Sequence, residues 1–258
     1  MKVIVHRGPD SAGKYVNDQV ALGFRRLSII DLENGSQPMF NEDGEVGIVF
    51  NGEIYNSPEL RERFQAKGHV FKNSSDTETL VHGYEEYGEK LVHELRGMFG
   101  FAIWDNKKKR LFMARDFFGI KPVYYAMIHG NLVFGSEIKS ILEFPGFKKE
   151  VNNEALEEYL SFQYSNLTET FFKGVYRLLP GHYLTYQNGE LNVTQYFDPT
   201  LEPVSKDSQE ELVKKLTDVL EDSVDKHMLA DVEVGAFLSS GVDSSYIAAK
   251  YSGKKTFT

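Results

Sequence analysis

Four apolar runs between Met98 and Phe134 limit the possible folds more than any other feature of the chain. They are Met98-Phe99-Gly100-Phe101-Ala102-Ile103-Trp104, Arg110-Leu111-Phe112-Met113-Ala114-Arg115, Pro122-Val123-Tyr124-Tyr125-Ala126-Met127 and Asn131-Leu132-Val133-Phe134. Each has strand length, and Asp105-Asn106-Lys107 and His129-Gly130 supply turn residues between pairs of them. The runs are apolar at nearly every position rather than at alternate ones. A sheet with one face in water alternates; a sheet covered on both faces does not. The pattern therefore predicts an antiparallel meander inside a layered α+β sandwich. Amphipathic segments near 57–67, 76–95, 137–143 and 153–163 can provide the cover. Two more strands, Gly181 to Tyr186 and Leu191 to Tyr196, flank an Asn188-Gly189 hairpin turn.

A further apolar run, Val46-Gly47-Ile48-Val49-Phe50, leads into Asn51-Gly52-Glu53-Ile54-Tyr55-Asn56. Asn51 can donate from its side-chain amide, and Gly52 leaves its backbone N–H uncovered. Two neighbouring donors at one strand end are the parts of an oxyanion hole. Glu53 adds an anion suited to an ammonium group. The same residues also suit an ordinary strand-ending turn. Upstream, Val20 to Phe24 reads as a strand and Arg25-Arg26 borders the apolar run Leu27 to Ile30. The planar guanidinium fork of such an arginine matches a carboxylate, although a surface pair fits equally well. Ser57-Pro58 and Ser75-Asp76-Thr77-Glu78 read as helix starts, the second as a capping box. Asp76, in the first turn, either complements the helix dipole or faces a ligand cation.

Composition narrows the class. The chain has 258 residues, is 41% hydrophobic and carries a formal charge of −9, which argues against a nucleic-acid partner. The basic run Lys107-Lys108-Lys109-Arg110 reads as a solvated turn. There is no cysteine, so disulfides, thiolate metal sites and a cysteine nucleophile within the chain are excluded. The seven histidines show no HExxH-type spacing. No apolar stretch has membrane-spanning length, and the N-terminus is too short and mixed for a signal peptide, so a cytoplasmic setting is expected.

Residues 198–207, with two prolines and no periodicity, read as a linker. Beyond it, Ser208-Gln209-Glu210-Glu211 is another capping box, and Leu212, Leu216, Val219, Leu220 and Val224 mark a long amphipathic helix. Then come the apolar run Val232 to Leu238, the loop Ser239-Ser240-Gly241-Val242-Asp243-Ser244-Ser245, and a helix expected from about Tyr246. A strand, a loop of small residues and a helix N-terminus make a phosphate cradle. Asp243 is placed to carry Mg2+. The loop lacks the Walker spacing.

Taken together, these segments resemble the glutamine-hydrolysing asparagine synthetase family. The resemblance rests on His6-Arg7-Gly8-Pro9-Asp10, Arg26-Leu27-Ser28-Ile29, Asn51 to Asn56, Ser75-Asp76-Thr77-Glu78, Arg115-Asp116 with Gly119-Ile120, Ser136-Glu137-Ile138-Lys139 and Ser239 to Ser245, in the family's order. Sugar-phosphate amidotransferases differ at Gly8-Pro9-Asp10 and lack the last loop. The resemblance implies an N-terminal-nucleophile (Ntn) domain, a four-layer αββα sandwich of antiparallel sheets, over residues 1–197. After the linker, residues 208–258 would begin an α/β ATP-pyrophosphatase-type domain. It further implies hydrolysis of glutamine and ATP-dependent amidation of aspartate to asparagine through an aspartyl adenylate. Arg26 would hold the glutamine carboxylate, Glu53 and Asp76 its ammonium, and Asn51 with the Gly52 N–H the oxyanion. Ser239, Ser240, Gly241, Asp243, Ser244 and Ser245 would hold ATP, with Asp243 also a Mg2+ ligand. No membrane or nucleic-acid partner is implied, and a homodimer is compatible.

Departures accompany the resemblance. The family's nucleophile is an N-terminal cysteine that precedes a strand and helix; here residue 1 is Met and residue 2 is Lys. Ser240 stands where the family more often has glycine. The expectation is a synthetase whose chain here lacks the cysteine segment at one end and most of the synthetase domain at the other, and is inactive as it stands. The alternatives are a catalytically silent glutamine-binding or partner-binding domain, or a cysteine-less relative such as a β-lactam synthetase.

Overall fold

The computed structural model describes residues 1–201 and 205–258; residues 202–204 of the expected linker lie outside the described residues. The strands and helices, in chain order, are β1 (Ser11–Val16), β2 (Ala21–Arg26), β3 (Met39–Phe40), β4 (Val46–Ile54), α1 (Ser57–Gln65), α2 (Asp76–Tyr87), β5 (Gly97–Asp105), β6 (Arg110–Arg115), β7 (Tyr124–Ile128), β8 (Asn131–Gly135), α3 (Ile138–Leu142), α4 (Asn153–Phe162), β9 (Tyr176–Arg177), β10 (His182–Gln187), β11 (Glu190–Gln195), α5 (Gln209–Lys226), β12 (Gly235–Phe237), α6 (Val242–Lys250) and β13 (Lys255–Phe257). They fall into two compact units, Met1–Ser28 with Glu33–Asp198 and Ile29–Leu32 with Pro199–Thr258.

In the first unit a six-stranded sheet runs β11-β10-β6-β5-β4-β3, with smaller sheets β8-β7-β9 and β1-β2. Every named pairing is antiparallel. The unbroken apolar runs have a direct cause. Along β5, Phe99, Phe101 and Ile103 join one core with Leu60 and Phe64 of α1 and Leu80, Val81 and Tyr84 of α2. Ala102 and Trp104, on the opposite face, join a second core with Leu22, Tyr125, Leu132 and Phe134 from the smaller sheets. A third core places Ala126 and Ile128 of β7 against Ile141 of α3. Helices, sheet, sheet and helices therefore stack in the expected αββα order. Phe64, Phe99, Ile103 and Phe112 are wholly buried, each contributing roughly 1.5–3 kcal/mol of hydrophobic stabilisation.

Local details differ from the sequence reading. β1, with the polar-leaning Ser-Ala-Gly-Lys-Tyr-Val pattern, and the two-residue strands β3 and β9 carry no strand signal of their own and form by pairing. Ser75 caps α2 by accepting from the Thr77 N–H, but Glu78 does not complete a capping box. Its carboxylate instead accepts from the backbone N–H groups of Lys72 and Asn73, fastening the loop before the helix. Ser57 is the first residue of α1 and Asn56 its cap. The basic turn is solvated as expected, with Lys107 Nζ 2.6 Å from Asp43.

In the second unit Ser208 and Glu211 form the expected capping box at the head of α5. β12 and β13 pair in parallel, and α6 lies between them in the chain. No helix among the described residues is long and apolar enough to cross a membrane.

Candidate functional site

The C-terminal half of β4 carries Asn51, Gly52 and Glu53, and its surroundings fix it unusually firmly. Gly52 lies against β5: a Cβ there would come within 2.0 Å of the Met98 carbonyl oxygen, so no other residue fits. Gln37 clasps the preceding residue, its Oε1 accepting from the Phe50 N–H at 2.6 Å and its Nε2 donating to the Phe50 carbonyl at 3.2 Å. The same Nε2 reaches Thr77 Oγ1 at 3.3 Å, which ties the strand to the start of α2.

Asn51 lies on the strand face that also presents Val49, toward the second core. It lines a cavity of ≈ 270 Å3 whose walls include Gly23, Arg25, Gly100, Val123 and Phe134. Asn51 Nδ2 is buried and has no hydrogen-bond partner. An unpaired buried amide donor costs about 1–3 kcal/mol, so its persistence beside a cavity points to an acceptor brought by a ligand. Met1, Ile4 and Arg7 line the same cavity.

Asp76 is 5% exposed and heads α2. Its Oδ2 accepts from the Ile54 N–H at 2.9 Å, so β4 and α2 meet at this carboxylate. Burial, and then the charge of Glu53, push the Asp76 carboxyl up to about 6 despite that hydrogen bond. Burial together with Glu53 and Asp116 likewise pushes the Tyr55 hydroxyl up to about 12. Glu53 is thus an anionic neighbour of both Asp76 and Tyr55, which favours a cationic ligand group.

The structure brings Asn51, Gly52, Glu53 and Asp76 to one end of β4. Glu53 and Asp76 do not line the cavity. Arg26, 7% exposed, ends β2, and it is the neighbouring Arg25 that lines the cavity wall. Several motifs act as scaffolding. Asp116 accepts from the N–H groups of Phe99, Phe118, Ile120 and Lys121, and the Arg115 guanidinium donates to the carbonyls of Gly119, Lys121 and Leu178. Glu137 gathers His6 at 2.9 Å, Lys139 at 2.8 Å and Arg7 at 3.6 Å, joining motifs far apart in the chain. Sequence reading missed Gln37 and these scaffold roles, and of the Arg25-Arg26 pair it assigned the ligand contact to Arg26. Only Asp116 had a local signal, the Asp-x-x-Gly spacing of a side chain that closes its own turn.

In the second unit the helix begins at Val242, earlier than the expected Tyr246, with Gly241 as its cap. Asp243, Ser244 and Ser245 therefore form its first turn rather than the loop. Ser244 Oγ donates to the Ser239 carbonyl at 2.8 Å and Ser245 Oγ to the Gly241 carbonyl at 2.8 Å, so both hydroxyls brace the loop. Ser239, Ser240 and Asp243 are exposed.

Comparison with known proteins identifies the family. The glutamine amidotransferase domain family matches residues 1–197, and the asparagine synthase family matches residues 215–256. Asparagine synthetase [glutamine-hydrolyzing] 1 of Bacillus subtilis (strain 168) is 46% identical over 249 residues, covering 96% of this chain and 39% of that one. Asparagine synthetase [glutamine-hydrolyzing] 3 of the same strain is 39% identical over 250 residues, covering 96% and 41%. The chain therefore spans about two fifths of the length of these curated relatives. Among solved structures, the B. subtilis glutamine phosphoribosylpyrophosphate amidotransferase complexed with ADP and GMP is similar at 16% identity and a TM-score of 0.49, over 92% of this chain and 50% of that one. With the match running from the first residue through the whole of the sandwich, this chain belongs to the glutamine amidotransferase domain family.

Proposed function

We propose that the chain is the glutamine-handling part, and the beginning of the ATP-using part, of a glutamine-hydrolysing asparagine synthetase. The single observation that carries this reading is the Asn51 amide, a buried donor without a partner on the wall of a cavity. Amide hydrolysis places negative charge on the former carbonyl oxygen, and a donor already aimed there stabilises that charge without reorganising. The Gly52 N–H is its neighbour on the strand. Glu53 and Asp76 would hold the glutamine ammonium, and Arg26, with Arg25 beside it, the carboxylate. The chain has no cysteine, so thiolate attack is not among the steps its own residues perform.

The residues around α6 fit a nucleotide phosphate. Its first turn presents free backbone N–H groups, Gly241 leaves the approach open, and Asp243 offers a carboxylate to Mg2+. In this reading Ser239, Ser240, Gly241, Asp243, Ser244 and Ser245 hold Mg2+-ATP. ATP, when bound, activates the acceptor carboxylate. Aspartate as acceptor, the ligase reaction, a cytoplasmic setting and a homodimer all belong to this proposal.

A silent glutamine-binding domain is the second reading, and the same measurements separate the two. Calorimetry with L-glutamine on the 258-residue chain is expected to show binding that Asp76→Asn weakens, and a coupled ammonia assay is expected to show no turnover. Joining a relative's cysteine-led N-terminal strand ahead of His6 should then create ammonia release. In that version Asn51→Ala should lower kcat by roughly 10²–10³. An unchanged kcat would overturn the oxyanion assignment, and a joined version that binds glutamine without turnover would favour the silent domain.

A further inference from the structure

On the helix-covered side of the first unit, three segments converge on a group of side chains that glutamine chemistry does not use. Glu42 comes from the turn between β3 and β4, His69 from the loop after α1, and His82 and Glu85 from α2. One ligand atom from each of the four lies within 4.8 Å of all the others. We propose that Glu42, His69, His82 and Glu85 form a binding site for one divalent transition-metal ion, with Zn2+ the best fit.

The geometry is that of a tetrahedron slightly relaxed. Zinc bonds of about 2.0–2.1 Å to nitrogen and oxygen require ligand atoms about 3.3–3.5 Å apart. Here His82 Nδ1 is 3.0 Å from Glu85 Oε2 and 3.7 Å from Glu42 Oε2, and His69 Nδ1 is 3.7 Å from Glu85 Oε2. These three edges come within a few tenths of an ångström of that value, and the remaining ones, all within 4.8 Å, close by side-chain rotation on binding.

The second argument is independent of proximity and concerns what holds the other end of each ligand. Glu85 Oε1 accepts from Asn41 Nδ2 at 2.6 Å, which leaves Oε2 to face the centre. Glu42 Oε1 accepts from the Val70 N–H at 2.9 Å, which leaves its Oε2 inward as well. His69 Nε2 meets the Glu86 carboxylate at 2.9 Å, and Glu86 is itself paired with Lys67. A carboxylate at Nε2 keeps the proton there and turns the Nδ1 lone pair inward, the arrangement that outer partners impose on metal-bound histidine. His82 is 1% exposed, with Nδ1 inward and Nε2 facing Glu78 Oε1 at 4.0 Å. Three of the four groups are thus pre-aimed by partners outside the shell.

The donor set selects the ion. Two imidazoles disfavour Mg2+ and Ca2+, which prefer oxygen alone, and suit Zn2+ or Co2+. Bound there, the ion would pin α2 to the β3–β4 hairpin, the two elements that carry Asp76 and Asn51. It would act as a staple rather than a reactant.

The test is a zinc titration of the tag-free, metal-stripped 258-residue chain against a chromophoric chelator, with Co2+ absorption as a second readout. One Zn2+ per chain is expected, with Co2+ giving the visible bands of a four-coordinate nitrogen and oxygen site, and with excess Zn2+ raising Tm. His69→Ala and Glu85→Gln should lose the site. Glu86→Gln, which touches no metal, should weaken binding by about 10–100-fold. Glu42→Gln lies on a partly exposed side chain and tests the shell without disturbing the core. Circular dichroism of each metal-free variant separates lost binding from lost folding. If the chain binds no Zn2+, or if His69→Ala and Glu42→Gln bind as tightly as the parent, the cluster is a hydrogen-bonded network without a metal and the proposal fails.

Discussion

The two units use the same local grammar and reach different ends. Both have serine-capped helices, and both present a candidate anion site where a strand meets a turn or helix. In the first unit the apolar stripes of α1 and α2 are buried to 0% exposure at Leu60, Phe64, Leu80 and Val81. Among the described residues from Pro199 onward none is buried, and Leu216, Val219, Phe237 and Val242 are 60%, 63%, 86% and 85% exposed. The candidate oxyanion donor therefore sits in a packed wall, whereas the Ser239–Ser245 segment is exposed and braced by hydrogen bonds within itself. The difference teaches that capping and periodicity make a helix, whereas neighbours on both sides make a preorganised site.

The sharpest way to break this comparison is to truncate a large apolar side chain in each unit. Phe112→Ala, at a fully buried position, is expected to destabilise by about 3–5 kcal/mol. Leu216→Ala should change stability by less than about 0.5 kcal/mol. Chemical denaturation followed by tyrosine and tryptophan fluorescence reads both. Similar losses would mean that α5 is buried in solution.

A charge test comes next. The Asp76 carboxyl is raised in the folded protein to about 6 from 3.8. The folded state therefore binds this proton more tightly than the unfolded state. The stability it contributes is full below about pH 4 and is lost as pH rises through about 6. Asp76→Asn keeps an acceptor for the Ile54 N–H and removes the buried charge. It should stabilise the protein by about 3 kcal/mol at pH 8 and by nothing at pH 4, while weakening glutamine binding. Asp243→Asn, in the first turn of α6, should move stability by only about 0.5 kcal/mol. Urea denaturation at the two pH values decides it; a destabilised Asp76→Asn at pH 8 would show that the charge is compensated.

The smallest effect separates the two helix caps. Ser75 and Ser208 each accept from the first turn of a helix, and alanine at either costs about 1 kcal/mol of helix stability. Ser75→Ala should lower the global midpoint, because α2 unfolds with the core. Ser208→Ala should leave that midpoint unchanged and only speed amide exchange along α5. Equal shifts in the midpoint would join the two units into one cooperative block.

The sequence by itself determined the long strands and helices and that the central sheets are covered on both faces. Runs apolar at every position, such as Phe99 to Trp104, require cover on both faces, and the sandwich follows from that. The Asn188-Gly189 turn, the Ser208–Glu211 box and the proximity of Asn51, Gly52 and Glu53 along one strand are likewise local facts, legible because they depend on residues a few positions apart. The tertiary structure decided everything that needed two distant segments to meet. Only there does Asn51 face a cavity with its donor unpaired, and only there does Gln37 lock Phe50 to Thr77. The burial that, with the approach of Glu53, raises Asp76, the choice of Arg25 rather than Arg26 for the cavity wall and the gathering of Glu42 and His69 onto His82 and Glu85 arise in the same way. Burial and charge act through space, and the periodicity of a strand or helix carries no record of which remote side chain will complete a pair.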